Sequence, residues 1–243
     1  MDFAIIAAGE GSRLIQEGVT TPKPLINIQG SPLIERLIRI FMQNGASSIS
    51  VIVNEEMKEV QDFLQTIHLP VPFHLHVRST PSSMHSFYEL SRYLTNDRFC
   101  LTTVDTIFRE DEFSGYIQAF QRDEQSDGLM AVTDFVDDEK PLYVKTDNDL
   151  RILVFFDQPP HQGEELEAKH LYVSGGIYCL RRSGIDILEK AIAEGMSRMR
   201  NYQRRLVAEN LCLKAYPFSK IIDVDHAEDI NKAKDFLLSL RPE

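Results

Sequence analysis

The chain has 243 residues, 43% of them apolar and 26% charged, a size and balance that fit one soluble globular domain whose core needs no disulfide or metal staple. Lysine and arginine number 26 against 37 aspartates and glutamates, a net charge of −11. So acidic a body argues against non-specific binding to nucleic acid or an anionic membrane, but not against an anionic small substrate met by positive groups gathered at one site. Cys100, Cys179 and Cys212 stand far apart without zinc spacing, the N-terminus has no basic leader region, and no run reaches membrane-span length, so a reducing cytoplasm is the expected setting.

In chain order, Phe3–Ala8 reads as a buried strand ending at Gly9. Ser31-Pro32 reads as a helix start, a cap residue followed by proline at the first helical position, and Leu33, Leu37, Ile38 and Phe41 form the apolar stripe that Gly45 closes. Strands are expected at Ile49–Val53, Phe73–Val77, Phe99–Val104 and Gly128–Thr133, and helices at Glu56–Thr66, Ser83–Leu94 and Phe113–Arg122. This alternation predicts a mostly parallel sheet with helices on both faces. Leu142–Lys145, Ile152–Phe156 and Leu171–Leu180 read as an antiparallel patch, and the polar segment Gln158–Lys169 as a loop or flap. Helices near Ser183–Ala193 and Met199–Leu211, a strand Ile221–Val224 and a helix His226–Leu240 complete the chain, with no repeat or linker that would divide it.

The most informative stretch is Ala7-Ala8-Gly9-Glu10-Gly11-Ser12-Arg13-Leu14. A strand running into Gly-Glu-Gly can turn its backbone N–H groups toward phosphate oxygens, although the same glycines also suit a plain tight turn. A dinucleotide fingerprint would need glycine where Leu14 stands, and a Walker A loop would need Gly-Lys-Ser/Thr. Thr21-Pro22-Lys23-Pro24-Leu25 adds a lysine held in extended chain by a proline on either side. Arg13 and Lys23 are thus two cations near one glycine loop, or else two solvated surface charges.

Together with Gly30-Ser31-Pro32-Leu33-Ile34, these segments resemble the nucleotidyltransferases that make NDP-sugars and related activated alcohols, whose pattern runs L-A-A-G-x-G-x-R-L, P-K-P-L and G-x-P-L-I. The Pro and Thr usual after the arginine are Gln16 and Gly18 here. The resemblance implies a three-layer Rossmann-like α/β fold of the nucleotide-diphospho-sugar transferase type. Residues 1–243 would form a single catalytic domain, with a nucleotide-binding half over about 1–135, an acceptor-binding half over about 136–243, and a small antiparallel patch on the substrate side. The length would leave no room for the acyltransferase extension of some relatives.

Likeness continues along the chain. Phe99–Asp105 resembles the family's strand ending in a metal-binding aspartate, which implies Asp105 as a ligand; read bare, Asp105 would cap the next segment. Asp223-Val224-Asp225-His226-Ala227-Glu228-Asp229 resembles the closing D-x-G-T-P-E-D-L segment and implies Asp223 as the second metal aspartate, with Asp225 as the alternative. Asp225, followed three residues later by Glu228, is placed like a helix N-cap and so has a structural task of its own. Val173–Tyr178 resembles the family's Gly-Ile-Tyr strand, which implies Gly176 at the acceptor; a bulge is the plain alternative. The family's Glu-Lys-Pro, where the lysine meets a sugar phosphate, aligns with Asp157-Gln158-Pro159, which implies Asp157 as an acceptor contact and weighs against a sugar 1-phosphate. Met84-His85-Ser86-Phe87-Tyr88 looks more like the phosphocholine cytidylyltransferase-type members. Arg198, Arg200, Arg204 and Arg205 read as a solvated basic face, and His74 and His76 as ordinary strand residues.

The implied reaction is nucleotidyl transfer from an NTP (CTP, UTP, dTTP or GTP) to a phosphorylated small molecule, a sugar 1-phosphate or phosphocholine-like, with release of pyrophosphate. Ala8, Gly9, Glu10, Gly11 and Ser12 would cradle the triphosphate with Arg13, Ser82 and Ser83 would contact base or ribose, and Lys23 would hold the α-phosphate and the incoming oxygen. Mg2+ would sit on Asp105 with Asp223 or Asp225. No nucleic acid or membrane partner is expected, and self-association is left open. Two rivals remain: a glycosyltransferase of the related fold, for which Asp223-Val224-Asp225 has the right spelling, and a non-catalytic nucleotide or sugar sensor.

Overall fold

The first strand sets the architecture of this computed structural model, which describes residues 1–137, 139–158 and 171–240. Strand β1 (Asp2–Ala7) is buried throughout; Phe3, Ile5 and Ala7 enter one apolar core while Ala4 and Ile6 face another. A strand apolar on both faces must be covered on both, which demands helices above and below the sheet. They follow in order: α1 (Ser12–Gln16), the hairpin strands β2 (Asn27–Ile28) and β3 (Ser31–Pro32), α2 (Leu33–Gln43), β4 (Ser48–Val53), α3 (Lys58–Gln65), β5 (Phe73–Val77), α4 (Ser83–Ser91), β6 (Arg98–Thr103), β7 (Thr106–Ile107), α5 (Glu110–Arg122) and β8 (Gly128–Thr133). The later part comprises β9 (Tyr143–Thr146), β10 (Ile152–Phe156), β11 (Leu171–Arg181), α6 (Arg182–Ala193), α7 (Met199–Ala208), β12 (Leu213–Phe218), β13 (Ile222–Asp223) and α8 (Ala227–Ser239).

β1 pairs in parallel with β4 and β6, and β4 with β5, while β11 runs antiparallel to β6, β8 and β9. The large sheet is therefore a parallel half, β5-β4-β1-β6, joined through β11 to a mainly antiparallel half. This is the expected three-layer arrangement with its antiparallel patch. No helix among the described residues is long and apolar enough to cross a membrane. Most of the expected flap lies outside the described residues.

Three local expectations need correction. The helix expected from Ser31-Pro32 begins one residue later, at Leu33 with Pro32 as its N-cap, and Ser31-Pro32 itself forms β3, paired with Asn27-Ile28. Gln29 (φ 54) and Gly30 (φ 92) both take positive φ, the requirement of a type I′ hairpin turn, and the Asn27 side chain accepts the Gly30 N–H at 2.7 Å. β12 was not anticipated, because Pro217 interrupts an otherwise strand-like run; its strand partner among the described residues is β8, its other side carries an isolated bridge between Lys214 and Arg151, and such an edge tolerates proline. Finally, Asp225 is not the cap of the last helix. His226 is, and Asp229, not Glu228, closes the cap by accepting the backbone N–H of His226 at 2.7 Å and of Asp225 at 3.1 Å. The Asp225 carboxylate is thereby released for other partners.

Candidate functional site

The site lies beyond the carboxyl ends of β1 and β6, where ligands gather in open α/β sheets. β1 hands over to the glycine loop, and Gly11 (φ 65) turns the chain into α1. A Cβ on Gly11 would lie 3.5 Å from the Cβ of Lys23, so the loop folds directly over that lysine. Pro22 is extended (φ −53, ψ 135), and Lys23–Leu25 makes one 3-10 turn closed by the Leu25 N–H on the Pro22 carbonyl at 2.8 Å. The proline-bracketed lysine is therefore fixed from both sides, and its side chain is only 9% exposed.

A short antiparallel pairing brings the far end of the chain to this point. β13 pairs with β7, setting Asp223 opposite Thr106, and the Val224 N–H donates to the Asp105 carbonyl at 3.1 Å. Lys23 Nζ then donates to Asp105 Oδ2 at 2.5 Å and to Asp225 Oδ1 at 2.7 Å, while Arg13 Nη1 donates to Asp225 Oδ2 at 2.9 Å. Four charged groups separated by up to 212 positions in sequence form one chain of bonds. Burial alone would push the Lys23 ammonium toward neutrality, but the Asp105 and Asp225 charges outweigh it and raise its pKa above the ordinary lysine value. For Asp105, burial acts upward, and the Lys23 charge and hydrogen bonds bring the carboxyl below its usual range.

Two cavities flank this chain of charges. One, of about 620 Å³, is lined by the glycine loop, Lys23 and Asp105, and by Ser82 and Ser83 at the start of α4. Asn54, Ser79 and Thr80 also line it and were not anticipated; each follows the carboxyl end of β4 or β5, which was the available signal. The other, of about 580 Å³, holds Arg13, Asp223, Asp225 and Gly175. The Lys23–Asp225 bond is the seam between the two cavities. Arg13, expected beside the triphosphate, lines the second cavity.

Among the described residues, seven carboxylates line that second cavity, against the two cations Arg13 and Lys232. Lys232 is shared by Glu228 at 2.9 Å, Asp229 at 3.1 Å and Asp137 at 3.2 Å. Glu17 reaches across from the end of α1: Oε1 lies 2.6 Å from His226 Nδ1, and Oε2 accepts the Ala227 N–H at 2.6 Å. The Ala227 bond, then the imidazole, hold the Glu17 carboxyl below its ordinary range, and the same contact raises His226.

Two expected acceptor contacts fall elsewhere among the described residues. Asp157 is paired with Arg200 at 2.6 Å and Arg204 at 2.7 Å and lines neither cavity. Gly176 (φ 72) lies behind the wall, where an added Cβ would meet the Thr106 and Thr103 hydroxyls at 3.3 and 3.4 Å; Ser174 and Gly175 form the lining. His74 stacks on Tyr93, with ring centroids 4.8 Å apart, and His76 bonds Glu89 at 3.2 Å, an ordinary strand environment.

The donor set fits a hard divalent cation. Asp105 Oδ1 is buried and has no hydrogen-bond partner among the described residues, an available carboxylate oxygen beside the Asp225 loop. No group of three or more His, Cys, Asp or Glu forms a ready protein cage among the described residues, which matches an ion that takes one or two carboxylates and completes its shell with phosphate oxygens and water.

With this geometry in hand, the relatives can be placed. A model of the MobA-like NTP transferase domain matches residues 3–206. The chain belongs to that family. The match ends before β13, which carries Asp223. Among curated proteins, the chain is 23% identical over 248 residues to the "Bifunctional protein GlmU" of Thermodesulfovibrio yellowstonii, covering 98% of this chain and 52% of that protein. It is 24% identical to the "Bifunctional IPC transferase and DIPP synthase" of Aquifex aeolicus, covering 96% and 51%. The chain thus spans about half the length of these relatives. A stretch of 49 residues, 20% of each chain, is 47% identical to the "2-aminoethylphosphonate cytidylyltransferase" of Lancefieldella rimae. Among solved structures, a putative glucose-1-phosphate thymidylyltransferase from Bacillus anthracis superposes with TM-score 0.81 at 20% identity, covering 100% of this chain and 97% of that one. The inositol-1-phosphate CTP transferase from T. maritima does so with TM-score 0.76 at 17% identity, covering 96% of each. Both likenesses concern the fold.

Proposed function

We propose that the protein transfers a nucleoside monophosphate from an NTP to a phosphorylated acceptor, with release of pyrophosphate. The observation that carries this reading is Lys23, buried at the seam of two cavities and bonded to Asp105 on one side and Asp225 on the other. The NTP occupies the cavity under the glycine loop, with its triphosphate on the backbone N–H groups of Gly9–Ser12 and its base or ribose near Ser82 and Ser83. The acceptor enters the cavity beyond Asp225. An acceptor phosphate oxygen forms the new bond to the α-phosphorus as the bond from that phosphorus to the β-phosphate oxygen breaks. Such an in-line displacement needs positioning and charge neutralisation more than proton transfer.

Lys23 holds the α-phosphate and the incoming oxygen, and Arg13 meets phosphate at the mouth of the second cavity. Asp105, with Asp225 or Asp223, would hold Mg2+, which supplies charge neutralisation on the phosphate oxygens. Freed from helix capping, Asp225 has as strong a claim to the second ligand position as Asp223.

The acceptor cavity itself favours one class of acceptor. Seven lining carboxylates repel a purely anionic molecule and suit one whose phosphate or phosphonate is accompanied by an ammonium group. Gln158 in place of the sugar-phosphate lysine and the stretch of 47% identity to an aminoethylphosphonate cytidylyltransferase support the same choice. The test is a matrix of the four NTPs against phosphocholine, 2-aminoethylphosphonate and sugar 1-phosphates, with Mg2+, read as pyrophosphate. Pyrophosphate with an ammonium-bearing acceptor is expected. Free NDP released from an NDP-sugar would instead make the protein a glycosyltransferase, and ligand-induced thermal stabilisation without turnover under any pair would make it a sensor.

A further inference from the structure

The contact between Glu17 and the start of α8 joins two parts of the site that lie 210 positions apart. One is α1, which carries Arg13. The other is the Asp223–Asp225 loop, which ends in the His226 cap. His226 and Ala227 depart from the pattern that the chain otherwise resembles, as do the residues on either side of Glu17. His226 and Ala227 stand where D-x-G-T-P-E-D-L has threonine and proline, and the Pro and Thr of the first motif are replaced on both sides of Glu17 by Gln16 and Gly18. The chemistry explains why these changes belong together. Proline has no N–H, so only a residue such as Ala227 can donate to Glu17 Oε2. Threonine has no ring nitrogen, so only a residue such as His226 can place one 2.6 Å from Oε1. The Ala227 N–H is one of the donors a helix leaves without an internal partner, and a carboxylate is the favoured group to meet it.

We propose that Glu17 is a positioning residue of the transfer reaction, whose two-pronged contact with His226 and Ala227 fixes the Asp225 loop against the helix that carries Arg13. The role rests on the activity proposed above. Its consequence is geometric. Asp225 must keep one oxygen within reach of Lys23 and the other within reach of Arg13, and the backbone immediately after it is the part that Glu17 holds. The Asp229 cap fixes that backbone to its own helix, whereas Glu17 alone among these contacts ties it to the glycine-loop side. Among the described residues His226 Nε2 has no hydrogen-bond partner, with Glu139 Oε1 3.7 Å away, and the imidazole is held through Nδ1.

Glu17→Ala, Glu17→Gln and Ala227→Pro separate this role from plain stabilisation. Proline is accepted at the first turn of a helix, so Ala227→Pro removes one bond and spares α8. Three readouts are needed: melting by circular dichroism, Mn2+ binding by electron paramagnetic resonance in the presence of NTP, and pyrophosphate release. For Glu17→Ala we expect a folded protein that melts only slightly earlier, with kcat and Mn2+ affinity each lower by about tenfold, the scale on which small misplacements of a site act. Ala227→Pro and Glu17→Gln, which each keep a hydrogen bond, fall between it and the parent protein. Wild-type kcat and Mn2+ affinity in Glu17→Ala overturn the proposal; if that variant melts much earlier, the same result in Ala227→Pro overturns it. Should the parent protein release no pyrophosphate with any pair, the transfer activity fails on its own, and Mn2+ binding still decides the clamp.

Discussion

The two cavities are similar in size, about 620 and 580 Å³, and opposite in construction. The cavity proposed for the nucleotide is walled mainly by short segments that each leave the carboxyl end of a parallel strand: the glycine loop after β1, Asn54 after β4, Ser79–Ser83 after β5 and Asp105 after β6. The cavity proposed for the acceptor is a mosaic of charged side chains from α1, the segment after β8, β11 and the start of α8, held by contacts such as Glu17 on Ala227 and Lys232 on Asp137. A wall made of loop backbone serves a ligand shared by a whole family, such as a triphosphate. A wall of paired side chains can be rewritten residue by residue to suit a different acceptor. If that division is right, substitutions on the two sides act on different kinetic constants, and a substitution at the seam acts on both.

The largest effect is expected at the seam. Asp105→Asn removes a charge from both Lys23 and the candidate cation position, and turnover should fall by about 10²–10³, the scale seen when one group stabilising developing charge is lost. A Mg2+ titration checks it, and an unchanged Mg2+ dependence would remove Asp105 from the cation site. Next comes Gly175→Ala on the acceptor side. Its new Cβ would lie 2.2 Å from Ile221 Cδ1 and 3.3 Å from the Ala131 carbonyl oxygen, so Ile221 must shift within the cavity wall. The KM for the acceptor should rise several-fold with the KM for the NTP unchanged.

Asn54→Ala should do the reverse more mildly. The Asn54 side chain donates to the Ala8 carbonyl at 3.3 Å and accepts the N–H groups of Glu56 and Met57 at 3.0 and 3.1 Å, tying the glycine loop to the next one. Its loss should raise the NTP KM about fivefold, equivalent to roughly 1 kcal/mol. Equal shifts in both KM values for either variant would break the division between the cavities.

The smallest effect on activity is expected from the scaffold, through pH. Asp123 lies outside both cavities and accepts hydrogen bonds from Lys214 Nζ at 3.0 Å and from the Gln125 and Ser126 N–H groups at 2.8 and 3.0 Å. Burial pushes its carboxyl up, but these bonds prevail and hold it well below the ordinary aspartate range. A carboxyl depressed in the folded state adds stability above its unfolded pKa of about 3.9, and that stability is lost as pH falls from there toward the folded value. Asp123→Asn should therefore melt earlier at neutral pH, show a flatter acid limb, and leave both KM values unchanged.

The same contrast explains what the sequence reveals. The first cavity is legible where its residues are neighbours in the chain. Gly9–Arg13 and Pro22-Lys23-Pro24 carry their conformations locally, and the structure places all the residues expected there, apart from Arg13, around one cavity. The acceptor side is legible only in outline. Asp157 carries a motif position but is taken by Arg200 and Arg204, partners more than 40 positions away. The N-cap expected of Asp225 fails because the capping pattern begins one residue later, and nothing in a linear pattern ranks His226 with Asp229 above Asp225 with Glu228. The hairpin that Ser31-Pro32 completes just ahead of α2 is not legible, because the positive φ of Gln29 is chosen by the pairing of β2 and β3, with no glycine at that position to announce it.

Pyrophosphate release by Lys23→Ala, measured beside the parent protein with Mg2+, the preferred NTP and the preferred acceptor, tests the central claim most directly. Among the described residues, Lys23 is the one side chain that bonds to an aspartate from each cavity. The account predicts a folded variant whose pyrophosphate release falls by about 10² or more. Release at the parent rate would contradict it.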